Sequence, residues 1–281
     1  EEENVLRFYN TFMKETKKYK NYNFKFLFVN NSSTDNTLAI LKGIAKKNKS
    51  VSVITYSKNF GYMKSLYTGI INCNSDACVN FDCDLQDPPG LLLDFIKQWE
   101  MGFDFSYGIR SLRDESFLMF FFRKCFRKIE FLFKGYEIKL ETGVWFISKK
   151  VIDELKKSGY DPYLPGLISR LGFLSIGVTY NRKKRLYGQS KANYPHYFSY
   201  AFDGLLSNTL TPLRLILVFG TLLSFFSFFL LSYFIYLKFF SDIQFETGVV
   251  AISVIMLFGF GVNFIFLGII GEYLGRTYLK D

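Results

Sequence analysis

The sequence predicts an α/β domain followed by two membrane-spanning helices. Over the first two-thirds of the 281 residues, short apolar runs alternate with helical patterns, an order typical of parallel strands joined by crossover helices. Polar residues follow several of these runs, as expected for loops at the carboxyl ends of strands. Two long apolar stretches without charge lie near the end of the chain, and each exceeds the roughly 18 residues that a membrane span requires.

The elements of the α/β domain follow from this alternation. The first helix is acidic at its start and basic toward its end, as the helix dipole favours. Thr34 or Asp35 is expected to cap the second helix. In order, we predict a helix over 1–20, a strand over 24–29, a helix through 38–44, a strand over 51–55, a helix ending near 71, a strand over 77–79, a helix over 91–99, a strand over 103–107, a helix over 117–133, a strand over 144–148, a helix over 149–157 and a strand over 174–180.

The stretch F-D-C-D-L-Q-D-P-P at 81–89 follows the predicted strand at 77–79 after one residue, Asn80. It brings three carboxylates and an amide within six positions, and its prolines stop the strand. Carboxylate oxygens such as those of Asp82 and Asp84 suit Mg²⁺ or Mn²⁺ held between the protein and substrate phosphates. Taken alone, such a motif is more often an acidic surface turn. However, Asn31, Asn59 and Arg110 also follow predicted strands or their turns, so we expect them to converge with Asp82 on one rim of the sheet.

The composition favours a membrane as one partner. Lys and Arg number 35 against 25 Asp and Glu, which gives a formal charge of +10. A basic surplus is typical of proteins that bind nucleic acid, a membrane surface or a phosphorylated substrate. Because apolar residues are concentrated in the last quarter, we expect a lipid bilayer and no nucleic acid. The four cysteines form no C-x-x-C pair, so we expect reduced, buried thiols. Both chain ends are expected to be cut.

Two basic segments are each open to two interpretations. The helix at 117–133 carries basic residues at three- to four-residue spacing beside many aromatics, which is typical of a helix lying in the membrane interface or of a core helix with a solvated basic side. The two spans favour the interfacial interpretation. The run at 182–191 is either a solvated loop or a phosphate clamp, because its Gly, Gln, Ser and Lys offer a flexible backbone, donors and a cation.

The charges flanking the two spans predict their orientation. Lys and Arg are enriched outside the hairpin, whereas its connector carries Asp242 and Glu246. The positive-inside rule therefore places the α/β domain in the cytoplasm of a multi-pass protein of the inner (plasma) membrane. We predict a cytoplasmic domain at 1–192 with an interfacial helix at 116–134, a juxtamembrane segment at 193–212, spans at 213–237 and 248–271, an extracytoplasmic loop at 238–247 and a cytoplasmic tail at 272–281.

Taken in order, the motifs resemble those of the polyprenyl-phosphate glycosyltransferases, the bactoprenol glucosyltransferase and dolichol-phosphate mannose synthase type of family 2. Seven segments carry the resemblance: residues 1–4 are similar to the end of P-x-Y-N-E-E, 30–37 to D-D-G-S-x-D-x-T, 59–61 to N-x-G, 81–89 to M-D-A-D-L-Q-D-P-P, 107–110 to Y-G-x-R, 182–191 to R-x-x-R-x-x-G-x-S-K, and 268–276 to the end of the second span. The resemblance implies a GT-A fold, a mostly parallel Rossmann-like sheet with flanking helices.

The resemblance also implies an activity and a site. It implies an inverting, metal-dependent enzyme that moves a hexose, most commonly glucose, from a UDP-sugar to polyprenyl (undecaprenyl) phosphate and so supplies lipid-linked sugar for cell-surface glycans. The implied catalytic residues are Asp82, Asp84 and Arg110; the donor-binding residues are Asn31, Asp35, Asn59 and Asp82; the ligands for Mg²⁺ or Mn²⁺ are Asp82, Asp84 and Gln86; the residues for the acceptor phosphate are Arg110, Arg123, Arg127, Arg185, Ser190 and Lys191. A flippase is a further expected partner. The oligomeric state is open, with a tetramer suggested by membrane relatives.

Two departures from the family pattern leave alternatives open. Asn30 and Asn31 replace an acidic pair, and residues 141–145 lack the carboxylate and arginine of A-G-D-F-R. These changes motivate one alternative, a non-catalytic membrane protein that keeps the fold to bind nucleotide or to partner a flippase. A processive polysaccharide synthase is a second alternative, but the chain lacks Q-x-x-R-W and has only two predicted spans.

Overall fold

A computed structural model of the chain describes residues 1–111, 117–135, 138, 143–160, 163–183, 204–205, 209–240 and 247–278. The chain forms two compact units, Glu1–Ser207 and Asn208–Asp281. The first unit is an α/β domain, and the second consists of two long helices.

The described part of the first unit alternates helices and strands much as predicted. Its elements are α1 (Glu2–Thr16), β1 (Phe26–Asn30), α2 (Thr37–Lys47), β2 (Val51–Thr55), α3 (Tyr62–Ile71), β3 (Ala77–Val79), α4 (Leu91–Glu100), β4 (Phe105–Arg110), α5 (Phe117–Lys134), β5 (Trp145–Ser148), α6 (Lys149–Ser158), α7 (Leu164–Arg170) and β6 (Ser175–Tyr180). The α/β class predicted from the sequence is confirmed.

The strands form a parallel pair and a mixed four-stranded sheet. β1 pairs with β2 in parallel, and α2 provides the crossover between them. The other sheet has the order β3-β5-β4-β6, in which β4 and β6 are parallel. However, β5 runs antiparallel to both of its neighbours, so this sheet is less parallel than the sequence suggested. The register shows this direction, since Tyr107 lies opposite Trp145 and Phe105 lies opposite Ile147.

Three apolar clusters hold these layers together. α1 and α2 pack around the parallel pair, α4 packs on β5 and β6, and α3, α6 and α7 cover β4 and β5. Trp145 and Tyr163 are among the largest side chains that are fully buried. The sequence missed α7, because its residues from Leu164 to Ile168 are buried in succession and show no amphipathic period.

Helix α5 turns its apolar side chains outward. Eight large apolar side chains of this helix are exposed: Phe117, Met119, Phe120, Phe121, Phe122, Ile129, Phe131 and Leu132. By contrast, Glu130 is only 1% exposed. This arrangement is the reverse of a soluble amphipathic helix, which buries its apolar face.

The second unit is a helical hairpin of α8 (Thr211–Phe240) and α9 (Thr247–Tyr278). Thr211–Leu237 and Ile252–Gly275 are long and apolar enough to cross a membrane. Both helices extend beyond the predicted spans, and residues 241–246 of the predicted loop lie outside the described part of the chain. The helices approach closely at glycines; for example, a Cβ added to Gly268 would lie 2.8–3.0 Å from three atoms of Leu217. Arg214 and Glu272 form an ion pair of 3.1 Å.

Candidate active site

The loops after β1 and β2 meet through two asparagines. Asn31 Nδ2 donates to Asn59 Oδ1 at 2.8 Å, and Asn31 Oδ1 accepts the main-chain N–H of Phe60 at 2.9 Å. Asn59 Oδ1 also accepts the N–H of Gly61, whose φ of +89° suits a residue without a Cβ. The structure therefore brings Asn31 and Asn59 together, as their positions after strands predicted.

Tyr62 joins this pair of loops to the carboxylate stretch. It is the first residue of α3, and its hydroxyl donates to Asp82 Oδ1 at 3.1 Å. The phenol also lies where a Cβ on Gly143 would collide with it, so the absence of a side chain at Gly143 keeps this space open. Tyr62 was not among the predicted site residues, and its position directly after the N-F-G turn was the available signal.

Asp84 is held in a tight turn at the end of the carboxylate stretch. Its side chain is 3% exposed, and Oδ1 accepts the N–H of Gln86 at 3.1 Å. The intervening Leu85 has a φ of +56°, a left-handed conformation that costs a non-glycine residue roughly 1–2 kcal/mol. The turn thus fixes the carboxylate at the expense of local backbone strain.

Asp82 lies in a field of negative charge. The pKa of its carboxyl group is raised to about 6, chiefly by burial and then by the charges of Asp84 and Asp87, against the opposing effects of Tyr62 and Arg182. Within the described residues, no group of three or more His, Cys, Asp or Glu side chains is placed to hold a metal ion. Two carboxylates with surplus negative charge nevertheless fit a divalent cation such as Mg²⁺, which usually completes its shell with water and substrate phosphates.

Asp87, the third carboxylate, has partners of its own within the protein. Its Oδ1 accepts the hydroxyl of Tyr180 at 2.5 Å and lies 3.5 Å from Arg182 Nε. Burial raises the pKa of Tyr180 to about 12, and the hydrogen bond to Asp87 acts in the same direction. Arg110 lies opposite Tyr180 in the register of β4 and β6. Arg110 is therefore placed beside the Asp87–Tyr180 pair at the end of the sheet.

Gln86 ties the carboxylate stretch to the chain leaving β6. Its main-chain oxygen accepts the N–H of Lys183 at 2.8 Å, and its Nε2 donates to the oxygen of Lys183 at 3.3 Å. The nitrogen of this amide is thus used within the protein, and the assignment of Gln86 to a metal remains a prediction. Arg182 and Tyr180 were not among the predicted site residues, because their pairing with Asp87 depends on the register of β6.

Comparison with known proteins decides the family. The sequence profile described as glycosyl transferase family 2 matches residues 1–156. This chain belongs to glycosyl transferase family 2. An uncharacterized glycosyltransferase of Bacillus subtilis (strain 168), YkcC, is 33% identical over 269 residues, which cover 95% of this chain and 83% of that relative. The predicted resemblance to polyprenyl-phosphate glycosyltransferases is thereby confirmed at the level of the family.

Two further relatives match the glycosyltransferase along its whole length. The bactoprenol glucosyl transferase of Shigella phage SfV is 29% identical over 286 residues, covering 100% of this chain and 92% of the relative. The prophage bactoprenol glucosyl transferase homolog of Escherichia coli (strain K12) is 28% identical over 285 residues, with the same coverage. Among solved structures, the chain is similar to a mannosyltransferase of Pyrobaculum calidifontis in complex with GDP-Man and Mn²⁺, with a TM-score of 0.48 and 13% sequence identity. The match covers 74% of this chain and 68% of that chain, and the TM-score is too low to support an inference.

Asp35 of the glycosyltransferase has described contacts away from the asparagine pair. Its Oδ1 accepts the N–H of Thr37 at 3.1 Å, and its Oδ2 lies 2.7 and 3.3 Å from the main-chain nitrogens of Glu1 and Glu2. These contacts join the starts of α1 and α2. The predicted role of Asp35 in donor binding remains a prediction.

The predicted acceptor residues of the glycosyltransferase fall into two sets. Arg127 of α5 donates to Glu130 at 2.7 Å and to the hydroxyl of Tyr163 at 3.5 Å, whereas Arg123 lies over the ring of Phe120 at 5.6 Å. The basic side of α5 is thus partly engaged with the protein. Three other predicted residues lie outside the described part of the chain: Arg185, Ser190 and Lys191.

Proposed function

We propose that this glycosyltransferase moves a hexose, with glucose as the first candidate, from a UDP-sugar to polyprenyl phosphate at the cytoplasmic face of the membrane. The observation that carries the proposal is the hydrogen-bonded rim that links Asn31, Asn59, Tyr62 and Asp82 at the ends of consecutive strands. Ligands of open α/β sheets bind at such an edge. The bactoprenol glucosyl transferases that match the chain from end to end support this choice of donor and acceptor.

The donor would lie along this rim. The amides of Asn31 and Asn59 offer hydrogen bonds to the base and ribose, and Asp82 helps to bind the nucleotide. Asp82 and Asp84, with Gln86, would hold Mg²⁺ or Mn²⁺ on the diphosphate. When bound, such an ion neutralises the negative charge that grows on the departing diphosphate.

The acceptor needs an anion site and no strong general base. The second pKa of a phosphate monoester is about 6, so the acceptor is already a nucleophile at neutral pH. Arg110, with Arg123 or Arg127, would hold this phosphate in line with the leaving diphosphate. One acceptor oxygen then bonds to the anomeric carbon as the bond from that carbon to the UDP oxygen breaks, which inverts the anomeric centre.

The membrane attachment follows from the apolar surfaces. The hairpin of α8 and α9 would span the bilayer, and the outward aromatic side of α5 would lie in the interface, near the lipid acceptor. The domain boundaries given above for the cytoplasmic part and the two spans are part of this proposal. A product made on the cytoplasmic face and used at the cell surface requires a flippase. The predicted tetramer stays a prediction.

A transfer assay with the chain in lipid nanodiscs tests the proposal. Radiolabelled UDP-glucose and undecaprenyl phosphate should give a labelled lipid with Mg²⁺ or Mn²⁺ and none with EDTA. Asp84→Ala should abolish the product, whereas Asp153→Ala, at an exposed carboxylate of α6, should leave it unchanged. If a panel of UDP-hexoses yields no lipid product although UDP binds, the non-catalytic alternative replaces the proposal.

A further inference from the structure

Asn263 is a polar residue in the middle of an apolar helix. It belongs to the stretch Ile252–Gly275 of α9, where it lies eleven residues after the start and twelve before the end. At 1.5 Å per residue, its Cα is roughly 17 Å from either end, too far for the short carboxamide to reach water at the membrane surface. In the hydrocarbon core, such an amide needs a hydrogen-bond partner that protein supplies.

The hairpin does not supply that partner. Asn263 is exposed, and no hydrogen bond joins its side chain to any residue that the structure describes. Ser232 of α8 is also exposed, but its hydroxyl donates to the main-chain oxygen of Phe228 at 2.9 Å and so is satisfied within its own helix. The carboxamide of Asn263, by contrast, has two donor hydrogens and an acceptor oxygen to place.

α9 contacts α8 through the side opposite to Asn263. A Cβ added to Gly261 would lie 2.3 Å from Ser224 Oγ, and one added to Gly268 would lie 2.8 Å from Leu217 Cβ. At about 100° per residue, Asn263 is turned about 160° from Gly261 and about 140° from Gly268 around the helix axis. The partner of Asn263 must therefore come from outside the hairpin.

A small residue lies beside Asn263 on the same side of α9. Gly259 is one turn earlier, and a Cβ added to it would meet no atom within 4 Å, so the hairpin does not require glycine there. Glycine weakens a helix interior, but in membranes small residues allow two helices to approach closely. Large apolar side chains surround the pair, each between 55% and 60% exposed: Ile252, Met256, Phe266, Leu267 and Ile270. Together with Asn263 and Gly259, they form what we call the Asn263 face.

A second copy of the chain fits the Asn263 face because it presents the same amide at the same depth. All copies insert in one orientation, so a twofold axis along the membrane normal places two α9 helices side by side with both Asn263 side chains at one level. Each carboxamide can donate to the other and accept from it. A single asparagine at a helix interface sets the register of coiled coils in the same way. A lipid chain offers neither donor nor acceptor.

We propose that the Asn263 face joins two copies of this glycosyltransferase inside the membrane. Asn263 pairs with its counterpart across the twofold axis, and Gly259 lets the two α9 helices approach. This inference goes beyond the proposed function and rests on it only in taking α8 and α9 to span the bilayer.

Energy transfer between copies measures the association. The whole chain, carrying a donor or an acceptor dye on a peptide tag, is placed in vesicles of phosphatidylethanolamine and phosphatidylglycerol at decreasing protein-to-lipid ratios. Asn263→Leu should raise the dissociation constant about three- to thirtyfold, the effect of one interhelical hydrogen bond in a membrane, and Gly259→Ile should raise it at least as much. Asn263→Gln keeps the amide and should stay within about threefold of the parent.

Two controls separate lost association from lost folding. Phe258 is also exposed but is turned about 140° from Asn263, so Phe258→Leu should change the dissociation constant by no more than about twofold. Asn263→Leu and Gly259→Ile should leave the Tm of the diluted, monomeric chain within about 2 °C, because both positions face away from α8.

Cross-linking locates the contact. In vesicles, copper phenanthroline should oxidise the two thiols of Asn263→Cys to a disulfide and give a covalent dimer that a reductant reverses. The yield should exceed the background from the four native cysteines, whereas Phe258→Cys should not exceed it. The proposal is wrong if Asn263→Leu leaves the dissociation constant within about twofold and Asn263→Cys cross-links no better than Phe258→Cys.

A chain that stays monomeric at every protein-to-lipid ratio would also overturn the proposal, since lipid or a different protein would then cover the Asn263 face. Extraction with alkaline carbonate tests the membrane spans separately. Protein that resists extraction but does not associate refutes the interface alone, whereas protein that carbonate releases refutes the spans on which the interface depends. Neither measurement uses a sugar donor, so a failure of sugar transfer would refute the proposed function and leave the association measurable.

Discussion

Glu130→Gln should destabilise the α/β unit more than any substitution of an exposed charge. Glu130 is 1% exposed on α5; its Oε2 lies 2.7 Å from Arg127, and its Oε1 lies 3.7 Å from Lys134, whose side chain is fully buried. The ammonium of Lys134 also lies 4.4 Å from the ring centre of Tyr163. Removing the carboxylate charge leaves a buried cation without its counter-charge, which costs about 3–5 kcal/mol.

Thermal unfolding in detergent measures this loss. At about 2–4 °C per kcal/mol for a domain of this size, Tm should fall by roughly 10 °C. Glu154→Gln is the matched control, because Glu154 forms an exposed ion pair at the same i,i+3 spacing and its loss should leave Tm unchanged. The double variant Glu130→Leu with Lys134→Met should recover most of the stability, since both buried charges are then removed. A fall in Tm of less than about 2 °C for Glu130→Gln would refute the reasoning.

Three further predictions concern the carboxylates, the hairpin and the thiols. Because Asp82 has a pKa of about 6, protons compete with the cation for its carboxylate below that pH. In calorimetric titrations, the affinity for Mn²⁺ should be constant above pH 6 and should fall about tenfold per pH unit below it. An affinity that does not change between pH 5 and pH 7 would contradict this. Gly268→Ile should lower the Tm of the hairpin because a Cβ would meet the backbone of α8, whereas Gly259→Ile has no atom within 4 Å of its new Cβ and should not. A hydrogen bond from a neighbouring thiol lowers the pKa of Cys73 to about 7, whereas burial raises the pKa of Cys83 to about 12. An alkylating reagent at pH 7.5 should therefore modify Cys73 and spare Cys83, as measured by mass spectrometry. Equal labelling of the two thiols would contradict this difference in pKa.

The periodicity of apolar residues was sufficient to predict most helices and strands, but it was insufficient to predict how the strands pair. The bounds of β2 and the end of α3 agree with the prediction, and α4 ends one residue later than predicted. Strand direction is different, because it depends on how distant segments meet. Nothing in the run at 145–148 distinguishes a strand that enters by a crossover from one that enters antiparallel, as β5 does.

The same distinction holds within the candidate site. Asn31 and Asn59 could be placed together because they follow the two strands of the parallel pair, and such ends meet at the same edge. Asp82 follows a strand of the other sheet, and its link to them through Tyr62 could not be predicted. By contrast, the pairing of Asp87 with Tyr180 and Arg182 joins residues that are more than ninety positions apart, and the sequence shows only that each is polar. For α5, periodicity separated a basic side from an aromatic side but could not show which of them faces the protein.

Backbone strain gives an independent reason to regard the two loops of the rim as functional. The described residues include two non-glycine residues with positive φ, Ser32 at +57° and Leu85 at +56°. Each directly follows a residue assigned to the site: Ser32 follows Asn31, and Leu85 follows Asp84. A left-handed serine or leucine costs on the order of 1 kcal/mol and persists only where the surrounding contacts determine it. At Asn31 those contacts are the hydrogen bonds to Asn59 and Phe60, and at Asp84 the bond from Gln86. The strain is therefore coupled to the same hydrogen bonds that fix the amide and the carboxylate, as expected for loops shaped to hold a ligand.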